Sequence, residues 1–145
     1  MSLLTVLGIS SAGMDVQNAR MEVSAQNLTN ANSTRTPEGG PYQRKEAIIT
    51  STPVPFDEAL GVQIDKKNIQ EAKISSIVNS NRPPKLIFDP QHPDADDKGF
   101  VATPDINVTQ EMVDVMSASK AYESNVTVFN TTKQMLLRTL DLGGV

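Results

Sequence analysis

The sequence predicts a mainly α-helical protein with a small, irregular β-containing middle. Its two long terminal helices form a coiled-coil-like pair. Two observations carry this: apolar residues step by three and four at both ends, and the segment between them lacks that period. The chain divides into a helix within 1–33, an extended, β-containing middle over 34–107, and a second helix within 108–145. Widely separated helices that must find each other or a neighbour point to a part built for assembly rather than for chemistry.

The first helix is expected over about residues 3–30, roughly 40 Å at ~1.5 Å per residue. Its seam reads Leu4, Leu7, Ser11, Met14, Asn18, Met21, Ala25 and Leu28, the spacing of a helix–helix contact. A second apolar line, Ile9, Val16 and Val23, flanks it, with Ala12 and Ala19 beside. Charge is sparse, being confined to Asp15, Arg20 and Glu22. A solvated helix carries more charge on its outer face, so this one is expected to be enclosed by other protein. One helix of an ordinary small bundle is the plainer alternative. The run from Thr29 to Pro41 ends the helix, because Asn tolerates the left-handed conformation and Pro and Gly punctuate the rest of the run.

In the middle, residues 42–52 read as a strand, with Arg44, Lys45 and Glu46 facing water for part of it. Short extended pieces are expected at 60–66, 69–79 and 84–88. Pro53, Pro55, Pro83, Pro84, Pro90 and Pro93 keep them short or on edges. The second helix should start near Thr109 as N-cap, with Val108 and Val113 as a hydrophobic staple. Glu111 and Asp114 sit where the helix dipole favours acids, and Gly143-Gly144 suits the end. Its length is about 30 residues, and its seam runs Val108, Met112, Val115, Ser119, Tyr122, Val126, Phe129, Lys133, Leu136 and Leu140. Packing supplies most of the stability of such helices.

At 145 residues the chain fits one domain. It has six aromatic residues, no Trp and no Cys, which removes disulfides, thiolate metal sites and Cys nucleophiles. A net charge of −4 with scattered basic residues disfavours nucleic acid as a partner. No apolar run approaches the ~18 residues of a membrane span. The start, Met1 to Leu7, has no basic flank or cleavage pattern, so no cleaved secretory signal is expected.

Chemistry finds little support. With one His and no Cys, neither a Cys–His pair nor a multi-His metal site forms within the chain. The acidic stretch from Asp89 to Gly99, which contains His92, could ligate a divalent ion. X-Pro turns in an exposed loop explain it more simply, and the calcium-loop pattern does not match. His92 is expected to fix a turn or a subunit contact. Gly39-Gly40 comes after a helix rather than before one, so it cannot seat a phosphate at a helix N-terminus. Asp57-Glu58 reads as a solvated turn. No metal, cofactor or small-molecule substrate is expected. Asn27, Asn30 and Asn125 either fix register across buried contacts or, for the first two, cap the helix end.

Four stretches bear a family resemblance. They are Asn27-Leu28-Thr29-Asn30-Ala31-Asn32-Ser33-Thr34; Gly40-Pro41-Tyr42-Gln43-Arg44-Lys45; Phe88-Asp89-Pro90-Gln91-His92-Pro93-Asp94-Ala95-Asp96 with Gly99-Phe100-Val101 and Pro104-Asp105-Ile106-Asn107; and Glu111-Met112-Val113-Asp114 with Ala118 through Val126. Together with the closing Leu140-Asp141-Leu142-Gly143, they resemble the rod and hook axial proteins of the bacterial flagellum, over essentially the whole chain. The third and fourth stretches are the most specific and are similar to proximal rod proteins. Two departures are mild: Pro104-Asp105-Ile106 stands where the family has Pro-Asn-Val, and Thr29 where it has Ala.

The resemblance implies a structural subunit of the basal-body rod, the drive shaft that crosses the periplasm and carries torque from membrane ring to hook. It implies export by the flagellar type III apparatus without a cleaved signal, and partners that are other rod proteins and copies of the chain. The terminal helices would pack side by side in a tubular core. Leu4, Leu7, Met14, Met21, Leu28, Met112, Val115, Tyr122, Val126, Phe129, Leu136 and Leu140 would be the packing residues, and Asn27, Asn30 and Asn125 the register residues. The rival reading is a cytoplasmic helical adaptor or export chaperone that binds one protein partner. An enzyme is a distant third.

Overall fold

A helix from Leu3 to Thr29, α1, is followed by four strands and a closing helix. The strands are β1 (Lys45–Pro53), β2 (Gln70–Asn79), β3 (Lys85–Phe88) and β4 (Phe100–Thr103), and the closing helix α2 spans Val108–Gly143. These come from a computed structural model that describes residues 3–53 and 70–143. The strand expected at 60–66 and the Asp57-Glu58 pair lie outside those residues.

The strands form two separate antiparallel hairpins, β1–β2 and β3–β4. In the first, Lys45 pairs with Asn79, and the register shifts between Ile48 and Ile49, leaving Ser75 as a bulge. In the second, Phe88 faces Phe100, and their rings meet edge to face at 5.3 Å. β4 has no counterpart among the strands expected from sequence. Its four residues are too short to show a period, and β3 supplies its pairing. Gly99 makes this hairpin possible: its φ is +79°, and a Cβ there would stand 3.0 Å from the Phe88 ring.

The helices form the expected pair, and they run antiparallel. Asn27 meets Glu111, and Gly13 lies against Asn125. From 13 to 27 and from 111 to 125 is fourteen residues on each helix, so the register holds over two heptads. α1 also packs against the β1–β2 hairpin. A groove of about 290 Å³ remains between α1 and β2, lined by Gly8, Ser11, Asp15, Glu71, Lys73 and Ile74 among others.

α2 starts earlier and runs longer than expected, 36 residues from Val108. Its cap is Asn107 rather than Thr109. The Asn107 Oδ1 accepts from the N–H groups of Thr109 and Gln110, at 3.1 and 3.3 Å. Asn caps at least as well as Thr, and Thr109 is thereby already inside the first turn.

The core is thin. Among the described residues its buried aliphatic side chains are Val16, Val23, Ala31, Val101, Ile106 and Ala118. Thr5, Ser10, Ser24, Asn27, Glu111 and Thr132 are buried alongside them.

Candidate assembly site

Where α1 ends, the chain folds back so that the root of β1 lies against both helices. Asn27, on the last turn of α1, is fully buried with every polar position engaged. Its Oδ1 accepts from the Lys45 backbone N–H at 2.8 Å and from the Tyr42 hydroxyl at 3.2 Å. Its Nδ2 donates to the Lys45 carbonyl at 2.9 Å and to Glu111 Oε2 at 3.3 Å. An Asn has two donors and two acceptor positions, so the residue is saturated.

Glu111 is 1% exposed. Its other oxygen, Oε1, accepts from Arg44 Nε at 2.7 Å. Arg44 also donates to Glu46 from its Nη1. A buried carboxylate is tolerable only when paired and hydrogen-bonded, and both oxygens here are. Burial alone would lower the Arg44 pKa, but the hydrogen bond and charge of Glu111 outweigh it and hold the guanidinium above its usual range. Burial raises the Tyr42 pKa above its ordinary value, and the nearby Glu111 charge adds to this.

Two expectations are corrected here. Arg44 keeps only part of its side chain in water and turns inward to Glu111. Glu111 does more than suit a helix start, because it is the centre of a buried junction. An inward carboxylate and an outward one look alike in a helical pattern. The signal that could have found it is a lone Glu on the face that carries Ala118, Asn125 and Thr132 at heptad spacing.

The loop between β3 and β4 is organised by its own side chains. Asp96 Oδ1 accepts from the N–H groups of Lys98 and Phe100, and His92 Nδ1 accepts from the Asp94 N–H at 3.1 Å. His92 thus fixes a turn. The loop is tied to the segment after α1, where the Thr34 hydroxyl donates to Asp94 at 2.8 Å. Asp105, on the approach to α2, lies 2.7 Å from Lys85 Nζ and 3.8 Å from Arg82. The Lys85 hydrogen bond is the main cause that holds its carboxyl below the usual range. No helix among the described residues is long and apolar enough to cross a membrane.

The sequence-read packing residues divide between two surroundings. Leu7, Met14, Met21 and Leu28 of α1 are half-buried, as are Val115, Val126, Phe129 and Leu136 of α2. Leu4, Met112, Tyr122 and Leu140 stand exposed. On α1 the most enclosed apolar line is the flanking one, Val16 and Val23. Asn30 Nδ2 donates to the Gln26 carbonyl at 2.9 Å, a helix-end contact. Asn125 covers Gly13, where a Cβ would come within 2.8 Å of its amide nitrogen.

The exposed surface of α2 is apolar in two places. Met112, Val113 and Met116 cluster near its start. Leu137, Leu140 and Leu142 lie at its end. Continuing the helix register places Leu3 opposite about residue 135. The last eight residues of α2, roughly 12 Å, therefore extend beyond Leu3.

The family described as flagellar basal body rod FlgEFG protein C-terminal matches residues 97–142, which span β4 and α2. The flagellar basal-body rod protein FlgC of Yersinia enterocolitica is 39% identical over 143 residues, covering 99% of each chain. The chain belongs to the FlgC family of flagellar basal-body rod proteins. FlgC of Salmonella typhimurium is 38% identical over 99% of both chains, and FlgC of Bacillus subtilis is 34% identical over 94% of this chain and 95% of its own. The FlgC relatives are similar from end to end, so the resemblance takes in both helices and both hairpins.

Proposed function

We propose that this chain is a structural subunit of the flagellar basal-body rod that works by packing rather than by chemistry. The observation that carries the reading is end-to-end similarity, 39% identical over 99% of both chains, to a protein named for that rod. The thin core and the apolar surface of α2 support it, since large exposed apolar patches mark contact sites.

On this reading the helices within 1–33 and 108–145 form the axial core, and the segment 34–107 faces outward or fills space between neighbours. Leu4, Met112, Tyr122 and Leu140 contact other subunits. Leu7, Met14, Met21, Leu28, Val115, Val126, Phe129 and Leu136 serve the helix pair and its margins. Asn27 and Asn125 lie at the contact of the two helices, and Asn30 closes the end of α1. Partners are other rod proteins and copies of this chain, and contacts that do not close on themselves generate a helical tube able to carry torque. The subunit lies in the basal body across the periplasm, and the type III export apparatus delivers it there without a cleaved signal.

The test uses the absence of native Cys. Single Cys residues at Met116 and Leu140, both exposed, are oxidised in intact cells. Adducts with other rod proteins in the envelope fraction are expected. A discrete cytoplasmic dimer, or monomer alone, overturns the reading in favour of an adaptor.

A further inference from the structure

We propose that the Asn27–Glu111–Arg44 junction sets the register of the helix pair. It is the point at which sliding α2 along α1 breaks the hydrogen bonds that join Glu111 to Asn27 and Arg44. Register is a property of the chain's own fold and is independent of the rod reading.

One line of α2 offers α1 only small or polar side chains. α2 presents Glu111, Ala118, Asn125 and Thr132 one heptad apart, and all four are buried or half-buried. In the observed register α1 opposes Glu111 with Asn27 and Asn125 with Gly13. A shift of one heptad would bring Ala118 against Gly13, small against small. Along that one line, which carries no large apolar side chain, packing distinguishes such registers poorly.

The junction does distinguish them. Lys45 offers Asn27 both a backbone donor and a backbone acceptor. The amide is therefore fixed in one orientation, with its second N–H aimed at Glu111 Oε2. Arg44, the residue before Lys45 at the strand root, holds Glu111 Oε1. Glu111 is thus gripped by α1 through one oxygen and by the strand root through the other. A slide of one heptad, about 10.5 Å at ~1.5 Å per residue, carries the carboxylate out of reach of both. In the slide that sets Ala118 against Gly13, Glu111 would come opposite Arg20 and exchange two hydrogen-bond partners for one cation, and Asn27 would lose its acceptor. A single buried polar residue fixes register in coiled coils by the same logic.

The test is disulfide mapping in the full-length chain, both purified and in intact cells. Asn125→Cys is combined with Gly13→Cys to report the observed register. It is combined with Val6→Cys or Arg20→Cys to report a slide of one heptad in either direction. Each pair is made in the parent and with Glu111→Gln or Glu111→Leu, and linked peptides are quantified by mass spectrometry. The parent should give the 13–125 link almost alone. Both Glu111 variants should raise the ratio of slid to observed links by at least about tenfold, equivalent to about 1.4 kcal/mol. The Glu111→Gln side chain keeps the size of the original but turns a donor toward Asn27 or gives up Arg44. It therefore decides the matter if the Leu variant does not accumulate. An unchanged ratio overturns the proposal. So does a parallel loss of all links, which would mark Glu111 as a contributor to stability without a role in register.

Discussion

At one end of the α1–α2 pair, Asn27 and Glu111 are buried to 0 and 1% exposure and bonded at every polar atom that faces inward. At the other end, Leu140 and Leu142 of α2 are 65 and 83% exposed and run past Leu3. The first end is polar and closed, the second apolar and open. The usual expectation is the reverse, apolar groups inside and polar groups out. The difference separates two tasks. The closed end fixes how the chain folds on itself, and the open end offers surface whose burial must come from outside the chain.

The contrast breaks most sharply at the closed end. Glu111→Ala leaves Arg44 with only its Glu46 contact and Asn27 with an idle N–H inside the fold. Removing one member of a buried pair costs about 3–5 kcal/mol, and the lower figure is expected because Arg44 keeps partial access to water. Urea unfolding of the purified chain should show it, and a loss under about 1 kcal/mol would mean that the junction is not closed. Next in size is Gly13→Leu, midway along the pair. Its side chain would meet Asn125 at once, and overpacking of this kind costs about 1–3 kcal/mol, readable in the same experiment.

Tyr42→Phe removes one neutral hydrogen bond from Asn27, a loss of about 0.5–1.5 kcal/mol. It also carries a pH signature. The Tyr42 pKa is raised on folding by burial and then by the Glu111 charge. Its contribution is therefore present in full below the ordinary Tyr value and is lost as pH rises through the raised folded value. Above about pH 10 the parent should lose stability more steeply than the Phe variant. Equal slopes would show that Tyr42 is not enclosed. The smallest stability effect belongs to the open end. Leu140→Ser should change monomer stability by no more than about 0.5 kcal/mol, yet motility in soft agar should fall. A variant that swims normally would remove the open end from the contact surface.

Much of the fold is legible in the sequence. Heptad stepping marks both helices, and the punctuation at 29–41 ends the first within a residue of Thr29. Strands β1 and β2 are visible in their β-branched residues though their pairing is not, whereas β4 is invisible because pairing, not composition, makes it a strand. The helix faces are harder to read. On α1, two apolar lines lie close together, and periodicity cannot say which one meets α2. The structure encloses Val16 and Val23 more deeply than the line through Leu4 and Leu7. The junction is least legible of all. Asn27 stands out within its Asn-rich box, but Arg44 and Glu111 are 67 residues apart, and nothing local marks them as partners.

The Asn27 amide has one more consequence. Its paired bonds to the Lys45 N–H and C=O copy the pattern of an adjoining strand. A bare strand margin is a template on which another chain can pair and aggregate, and the β1–β2 hairpin has Ile48, Ile49 and Ile77 exposed. By occupying the backbone at the base of β1 with a side chain, the fold closes that site to foreign strands. A chain that offers its neighbours helices is thereby kept from joining them through its sheet at this point.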